Sequence, residues 1–136
     1  MAKVDSRWRQ WAPLLLSILR IITAFLFMQH GAQKLFGLLG GSRVGTPEFL
    51  SLSWFSGVLE IFGGLLILLG LFTRPVAFLL SGMMAVAYFK VHAPRGFWPI
   101  QNGGELAALY CFVFLYMSSA GGGPLSLDFL WRRVRS

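Results

Sequence analysis

The chain has 136 residues, 56% of them hydrophobic and 12% charged, with 12 Lys and Arg against 5 Asp and Glu for a formal net charge of +7. Its apolar runs are too many and too long for a soluble core of this size, so the composition points to a single compact membrane domain over residues 1–136. Several of the basic residues cluster at the two ends, which argues against nucleic acid as a partner and assigns the charge to anionic lipid headgroups; the single cysteine, Cys111, excludes an intrachain disulfide and a CxxC redox pair.

Met1 to Trp11 is a basic lead-in, with Lys3, Arg7 and Arg9 against Asp5, and with Trp8 and Trp11 placed to suit an interfacial belt. The run LLLSILRIITAFLF that follows mimics a signal peptide. Arg20 interrupts it, however, and no small-x-small cleavage site precedes the HGAQKLFG segment, so a retained first helix is expected. Pro13 suits a first helical turn, which places span one at about residues 12–36. Gly37 to Ser53 reads as a loop from Gly40, Gly41, Gly45 and Pro47, and its apolar residues place part of it in the interface.

Span two is expected at about 52–72 and contains Glu60, with Gly57 and Gly64 on the same face to let a neighbouring helix approach closely. Span three is expected at about 75–91. The residue before a proline avoids helical geometry, so the helix should stop near His92, and Lys90 and His92 can both face inward only if that end unwinds. Arg95 to Gly104 reads as a loop, span four as about 104–119, and the tail 124–136 as a short segment lying on the membrane surface. The fold class is therefore an all-α membrane protein, a four-transmembrane-helix bundle.

Four spans put both termini on one side. The lead-in, the Arg74 turn and the tail hold seven basic residues, and the two remaining loops hold only Arg43 and Arg95. The positive-inside rule then puts both termini in the cytoplasm and the protein in the cell inner membrane as a multi-pass protein.

With that orientation the ionisable residues inside the spans converge. His30 and Lys34, four apart and so about 40° apart on a helix of roughly 100° per residue, lie late in an outward-going helix. Glu60 lies early in an inward-going one, Lys90 and His92 close the second outward helix, and Glu105 opens the last. All six fall in the outer half, and Arg20 alone sits lower. Charges at membrane depth are costly and must face partners or water.

Three readings of this set stand side by side. In the first it is a polar pocket: His30 and His92 exchange protons as the catalytic pair, while Lys34, Glu60, Lys90, Asn102 and Glu105 bind the ligand. In the second, Glu60–Lys34 and Glu105–Lys90 are ion pairs that hold the bundle together. In the third, His30, Glu60, His92 and Glu105 ligate a metal; no HxxH or ExxH spacing supports this, and the lysines compete for the carboxylates.

The segments FLFMQHGAQKLFG in span one, the Gly-rich second span with its Glu60, and QNGGELAALYCFVFLYMSSAGGGPLSLD resemble the DoxX family, over nearly the whole chain from Trp11 to Asp128. The resemblance implies a small four-helix integral membrane protein, mostly bacterial, from a family named for quinone-linked sulfur oxidation and with some members associated with thiol and oxidative-stress systems. By it, His30, Lys34, Glu60, His92, Asn102 and Glu105 fall at motif positions. A disulfide-handling branch of the wider superfamily has paired cysteines that this chain lacks.

The expected function is a membrane component of a quinone-linked or thiol- and sulfur-related oxidoreductase system, working with a soluble or membrane redox partner. Lys34, Lys90 and Arg20 would hold a quinone carbonyl or a small anion, with a neutral quinone-like head group favoured because Glu105 opposes an anion. No flavin or nucleotide fingerprint is present, so an electron carrier would be bound from elsewhere or be the quinone itself. The alternatives are a non-enzymatic accessory or assembly subunit with a structural ion-pair cluster, and a small proton-coupled carrier, for which so short a chain would have to form a homo-oligomer.

Overall fold

The computed structural model describes residues 2–41 and 45–136, with side chains from Asp5 onward. Arg43, and the side chain of Lys3, both counted in the charge argument above, lie outside the described residues. All the regular structure described is helical: α1 (Ala2–Phe36), α2 (Leu52–Leu69), α3 (Thr73–Ala87), α4 (Pro99–Asn102), α5 (Glu105–Ala120) and α6 (Leu127–Arg135).

Helix α1 corrects the expected span. It starts near the N-terminus and runs through Pro13 rather than beginning there. A proline inside a helix removes one i→i−4 hydrogen bond, and the long apolar run after it sustains the helix regardless. Helix α2 is three residues shorter than expected, because Gly70 ends it in the left-handed region at φ 67°, its N–H on the Ile67 carbonyl and that of Leu71 on Leu66. This is a Schellman-type stop.

The start of α3 has a cap that no local sequence rule would supply. Asp128, in the tail, accepts from the N–H groups of Phe72 at 2.8 Å and Thr73 at 2.9 Å. At its other end α3 widens into a π-helical turn at Tyr88–His92 and then a 3-10 turn at Ala93–Arg95. Ala93, the residue before Pro94, keeps right-handed helical geometry at φ −55° and ψ −36°, so helical turns run past the stop expected near His92 while the regular α-helix ends at Ala87. The segment read as the loop before span four contains the short α4, and the tail forms α6, whose Ser126 side chain caps Phe129.

The helices form two antiparallel hairpins. In the first, α1 packs on α2 through glycines: a Cβ on Gly31 would lie 2.9 Å from the Gly57 carbonyl oxygen, and one on Gly64 would collide with Met28. Gly57 itself faces Leu35, so the close approach expected of Gly57 and Gly64 is present. In the second hairpin α3 packs on α5, with the Ser81 hydroxyl donating to the Cys111 carbonyl at 2.8 Å. Phe27 joins the two hairpins, edge-on to Tyr110 at 5.2 Å and to Phe114 at 4.9 Å.

The core is small: Ala24, Phe27, Ile67, Ala77, Leu80, Met84, Tyr110, Phe114 and Met117. Ile22, Phe25, Phe62, Phe78, Leu79 and Phe112 all point outward. A belt of exposed large apolar side chains on this scale is what a bilayer covers. Three helical segments, Asp5–Phe36, Leu52–Leu69 and Thr73–Arg95, are long and apolar enough to cross a membrane, and Glu105–Ala120 is apolar but shorter. The expected count of four spans is thus three clear candidates and one short helix.

Candidate functional site

At one end of the bundle, α1 and α2 bring Lys34 and Glu60 together. Lys34 Nζ lies 2.9 Å from Glu60 Oε1 and 2.8 Å from the Ser56 hydroxyl, which in turn lies 3.3 Å from the same carboxylate oxygen. Ser56 precedes Glu60 by four residues and so shares its helix face. The approach is set by Gly31, where a Cβ would be 2.9 Å from Glu60 Cβ. Lys34's side chain keeps 26% of its exposure and Glu60's only 6%. Glu60 Oε2 is buried and has no hydrogen-bond partner among the described residues. A buried carboxylate oxygen left this way is costly.

Tyr110 is buried on α5, edge-on to Phe27 at 5.2 Å. His30 meets Tyr110 edge-on at 6.2 Å and is itself exposed on the helix surface. The sequence reading missed Tyr110, which has no local motif to announce it. It also missed Ser56, which its spacing from Glu60 could have revealed.

A second polar group sits at the same end of the other hairpin. Asn102 is buried at the end of α4. Its Nδ2 donates to the Gly96 carbonyl at 2.9 Å and the Tyr88 hydroxyl at 3.3 Å, and its Oδ1 accepts from the Gly104 N–H at 2.8 Å. Half-buried His92 places Nδ1 3.2 Å from the Asn102 carbonyl oxygen. The widened turn of α3 thus closes onto the start of α5 through Tyr88, His92 and Asn102, whose amide is engaged at both ends.

Lys90 and Glu105 are both exposed, and among the described residues no ion pair joins them. The second ion pair expected from the sequence is therefore absent, because the unwound end turns His92 inward and leaves Lys90 outside. The metal reading is corrected too. Among the described residues no three His, Cys, Asp or Glu side chains gather closely enough to hold an ion. Glu60 is taken by Lys34, His92 by the Asn102 carbonyl, and His30 and Glu105 face outward.

At the opposite end, Arg20 is fully buried. Its Nε donates to the Gly122 carbonyl at 2.9 Å, one terminal nitrogen to Ile67 and Leu68 at 2.5 Å each, and the other to Leu125 at 2.5 Å. Ser17 adds its hydroxyl, accepting from the Leu125 N–H at 3.1 Å. Arg20 therefore clamps the end of α2 and the Gly-rich loop 121–125 onto α1. It binds backbone, not the anionic group or quinone carbonyl for which the sequence suggested it.

Comparison with known proteins decides the family. The DoxX family profile matches residues 15–93, more than half of the chain.

The chain belongs to the DoxX family.

Its relatives include a Haemophilus influenzae protein named only "Uncharacterized protein", 46% identical over 127 residues that cover 88% of this chain and 92% of the relative. The Bacillus subtilis protein named "Putative oxidoreductase CatD" is 30% identical over 82% of each chain. A Mycobacterium tuberculosis protein named as an uncharacterized membrane protein is 32% identical over 81% of this chain and 77% of its own length. No solved structure matches the chain. Family and apolar helices together make this a multi-pass membrane protein.

Proposed function

We propose that this DoxX protein is the membrane component of an oxidoreductase system, and that the Lys34–Glu60 pair, with His30 beside it, holds the polar head group of a neutral, quinone-like carrier. The observation that carries the reading is the buried, unpartnered Oε2 of Glu60 next to a half-buried ammonium. Lys34 would donate a hydrogen bond to a carbonyl oxygen of the head group, and Glu60 Oε2 would accept one from a hydroxyl of its reduced, quinol form. His30, exposed on the helix surface, would exchange the hydroxyl proton outside the pair. His92 would be a second exchanging group, braced by Asn102, with exposed Lys90 and Glu105 at the rim of the same end. Electrons would come from a redox partner. The redox setting draws support from the name of the B. subtilis relative.

The proposed topology has four spans, both termini in the cytoplasm and an inner-membrane location. Helix α5 has 16 residues, about 24 Å at 1.5 Å per residue, against a hydrocarbon core of about 30 Å. Local thinning closes a gap of this size. In support, Arg74, Arg132 and Arg133 share one end of the bundle with the N-terminal part of α1.

A second reading, an accessory subunit with no ligand, is favoured by Oε1, which Lys34 and Ser56 both satisfy and which ties α1 to α2. Quinone extracted from the full-length protein, purified from its native membranes, separates the two. Wild type should carry quinone above the level of an unrelated membrane protein in the same detergent, and Glu60→Gln should retain at least about tenfold less, a difference of roughly 1.4 kcal/mol in binding. Equal background levels in both would leave the accessory reading standing.

A further inference from the structure

The end of the bundle opposite the Lys34–Glu60 pair carries a groove of about 690 Å³, between the start of the apolar run of α1, the end of α5 and helix α6. Leu16, Tyr116 and Phe129 give it an apolar floor, and Arg74, Arg132 and Arg133 stand around it. No Asp or Glu side chain is among the described residues that line it. Asp128, the acidic residue nearest in sequence, spends both carboxylate oxygens on the N–H groups of Phe72 and Thr73.

The three guanidiniums are poorly matched among the described residues. Arg74 packs over Gly121, where a Cβ would lie 3.5 Å from its Nε. Neither it nor Arg133 donates a side-chain hydrogen bond or makes an ion pair among the described residues. Among the described residues Arg132 has only a long contact, 3.4 Å from Nε to the Asp128 carbonyl. Arg135, on the same helix, is occupied elsewhere, 4.9 Å from the centre of the Trp131 ring.

The geometry points to a binding site for an anionic glycerophospholipid, its phosphate held by Arg74, Arg132 and Arg133 and its acyl chain laid along Leu16 and Tyr116. Charge and depth both select this occupant. Guanidiniums donate in a planar fork that matches phosphate oxygens. The groove straddles the ends of the apolar stretches of α1 and α5, where a headgroup gives way to hydrocarbon. Basic recesses between helices at a membrane face are a known way to hold anionic headgroups, whereas a soluble anion would have no use for the apolar floor. Bound there, the lipid would fasten α6 to the bundle, and the site does not depend on the reading of the Lys34–Glu60 pair.

Native mass spectrometry of the full-length protein in detergent, titrated with phosphatidylglycerol or phosphatidylcholine of matched chains, tests this. Wild type should retain phosphatidylglycerol at least about tenfold more tightly than phosphatidylcholine, and Arg74→Gln with Arg133→Gln should remove that preference. Arg135→Gln, which changes net charge on the same helix without touching the groove, should keep it. Equal retention of the two lipids by wild type, or an equal loss in Arg135→Gln, overturns the site. Displacement of the lipid by millimolar inorganic phosphate overturns it in favour of a free-anion site.

Discussion

Replacing Arg20 with methionine removes a buried charge, and intuition about membranes would expect the protein to gain from it. The structure predicts the reverse. Four carbonyls accept from the guanidinium, and two of them have another donor: Ile67 keeps the Gly70 N–H at 3.1 Å, and Gly122 keeps the Ser17 hydroxyl at 3.3 Å. Leu68 and Leu125 lose the side chain they accept from. An unsatisfied buried acceptor costs about 1–3 kcal/mol, and these two are partly buried, so a loss of about 2–4 kcal/mol is expected. Counting four hydrogen bonds at the roughly 0.6 kcal/mol average measured inside membranes gives about 2 kcal/mol, the low end of the same range. The insertion cost of the charge offsets little, because a chain unfolded within the membrane or micelle carries Arg20 too. At roughly 3 °C or more per kcal/mol for a chain of this length, thermal unfolding in detergent should shift down by at least about 6 °C. Arg20→Lys, which keeps the charge and loses the fork, should fall between. A midpoint for Arg20→Met within about 2 °C of wild type would refute the clamp.

The Lys34–Glu60 pair should show coupling: Glu60→Gln and Lys34→Met each strand a partner and cost about 3 kcal/mol or less, the low end for a broken buried pair because Lys34 is partly exposed, and the double variant should recover most of that loss in thermal unfolding. Gly31→Ala should destabilise by about 1–3 kcal/mol through contact with the Gly57 carbonyl, while Gly82→Ala, with open space around it, should be neutral or gain up to about 1 kcal/mol. Asp128→Ala removes the cap of α3, costs about 0.5–2 kcal/mol and should make α6 more readily cut by protease in detergent. Cysteine introduced as Arg133→Cys should resist a membrane-impermeant thiol reagent added to intact cells; ready labelling there would reverse the proposed orientation.

Much of the bundle was legible because bilayer chemistry writes strong signals: long apolar runs, the Gly37 and Gly121 breaks, and a Glu60 that shares its helix face with the close-packing Gly57 and Gly64. Local punctuation failed where a distant group decided the outcome. The start of α3 depends on Asp128, 55 residues away, and the fate of Arg20 on a loop more than 100 residues away. His92 and Lys90 were both drawn inward by their charge, whereas the π-helical turn turns only His92 toward Asn102. Asn102 suggested a ligand-binding loop from its neighbours Gly103 and Gly104, and its amide is consumed in closing that loop. Helix α1 ran past Pro13 because one lost hydrogen bond is small beside the helix that continues after it.

The most direct measurement is the affinity of a short-chain benzoquinone for the full-length protein in detergent, compared between wild type and the Lys34→Met, Glu60→Gln double variant, whose stability should be close to that of wild type. Saturable binding by wild type, weakened at least about tenfold in the double variant with its unfolding midpoint retained, is the expected result. Equal affinity in the two proteins, or no saturable binding to a folded wild type, would contradict a ligand site at the Lys34–Glu60 pair.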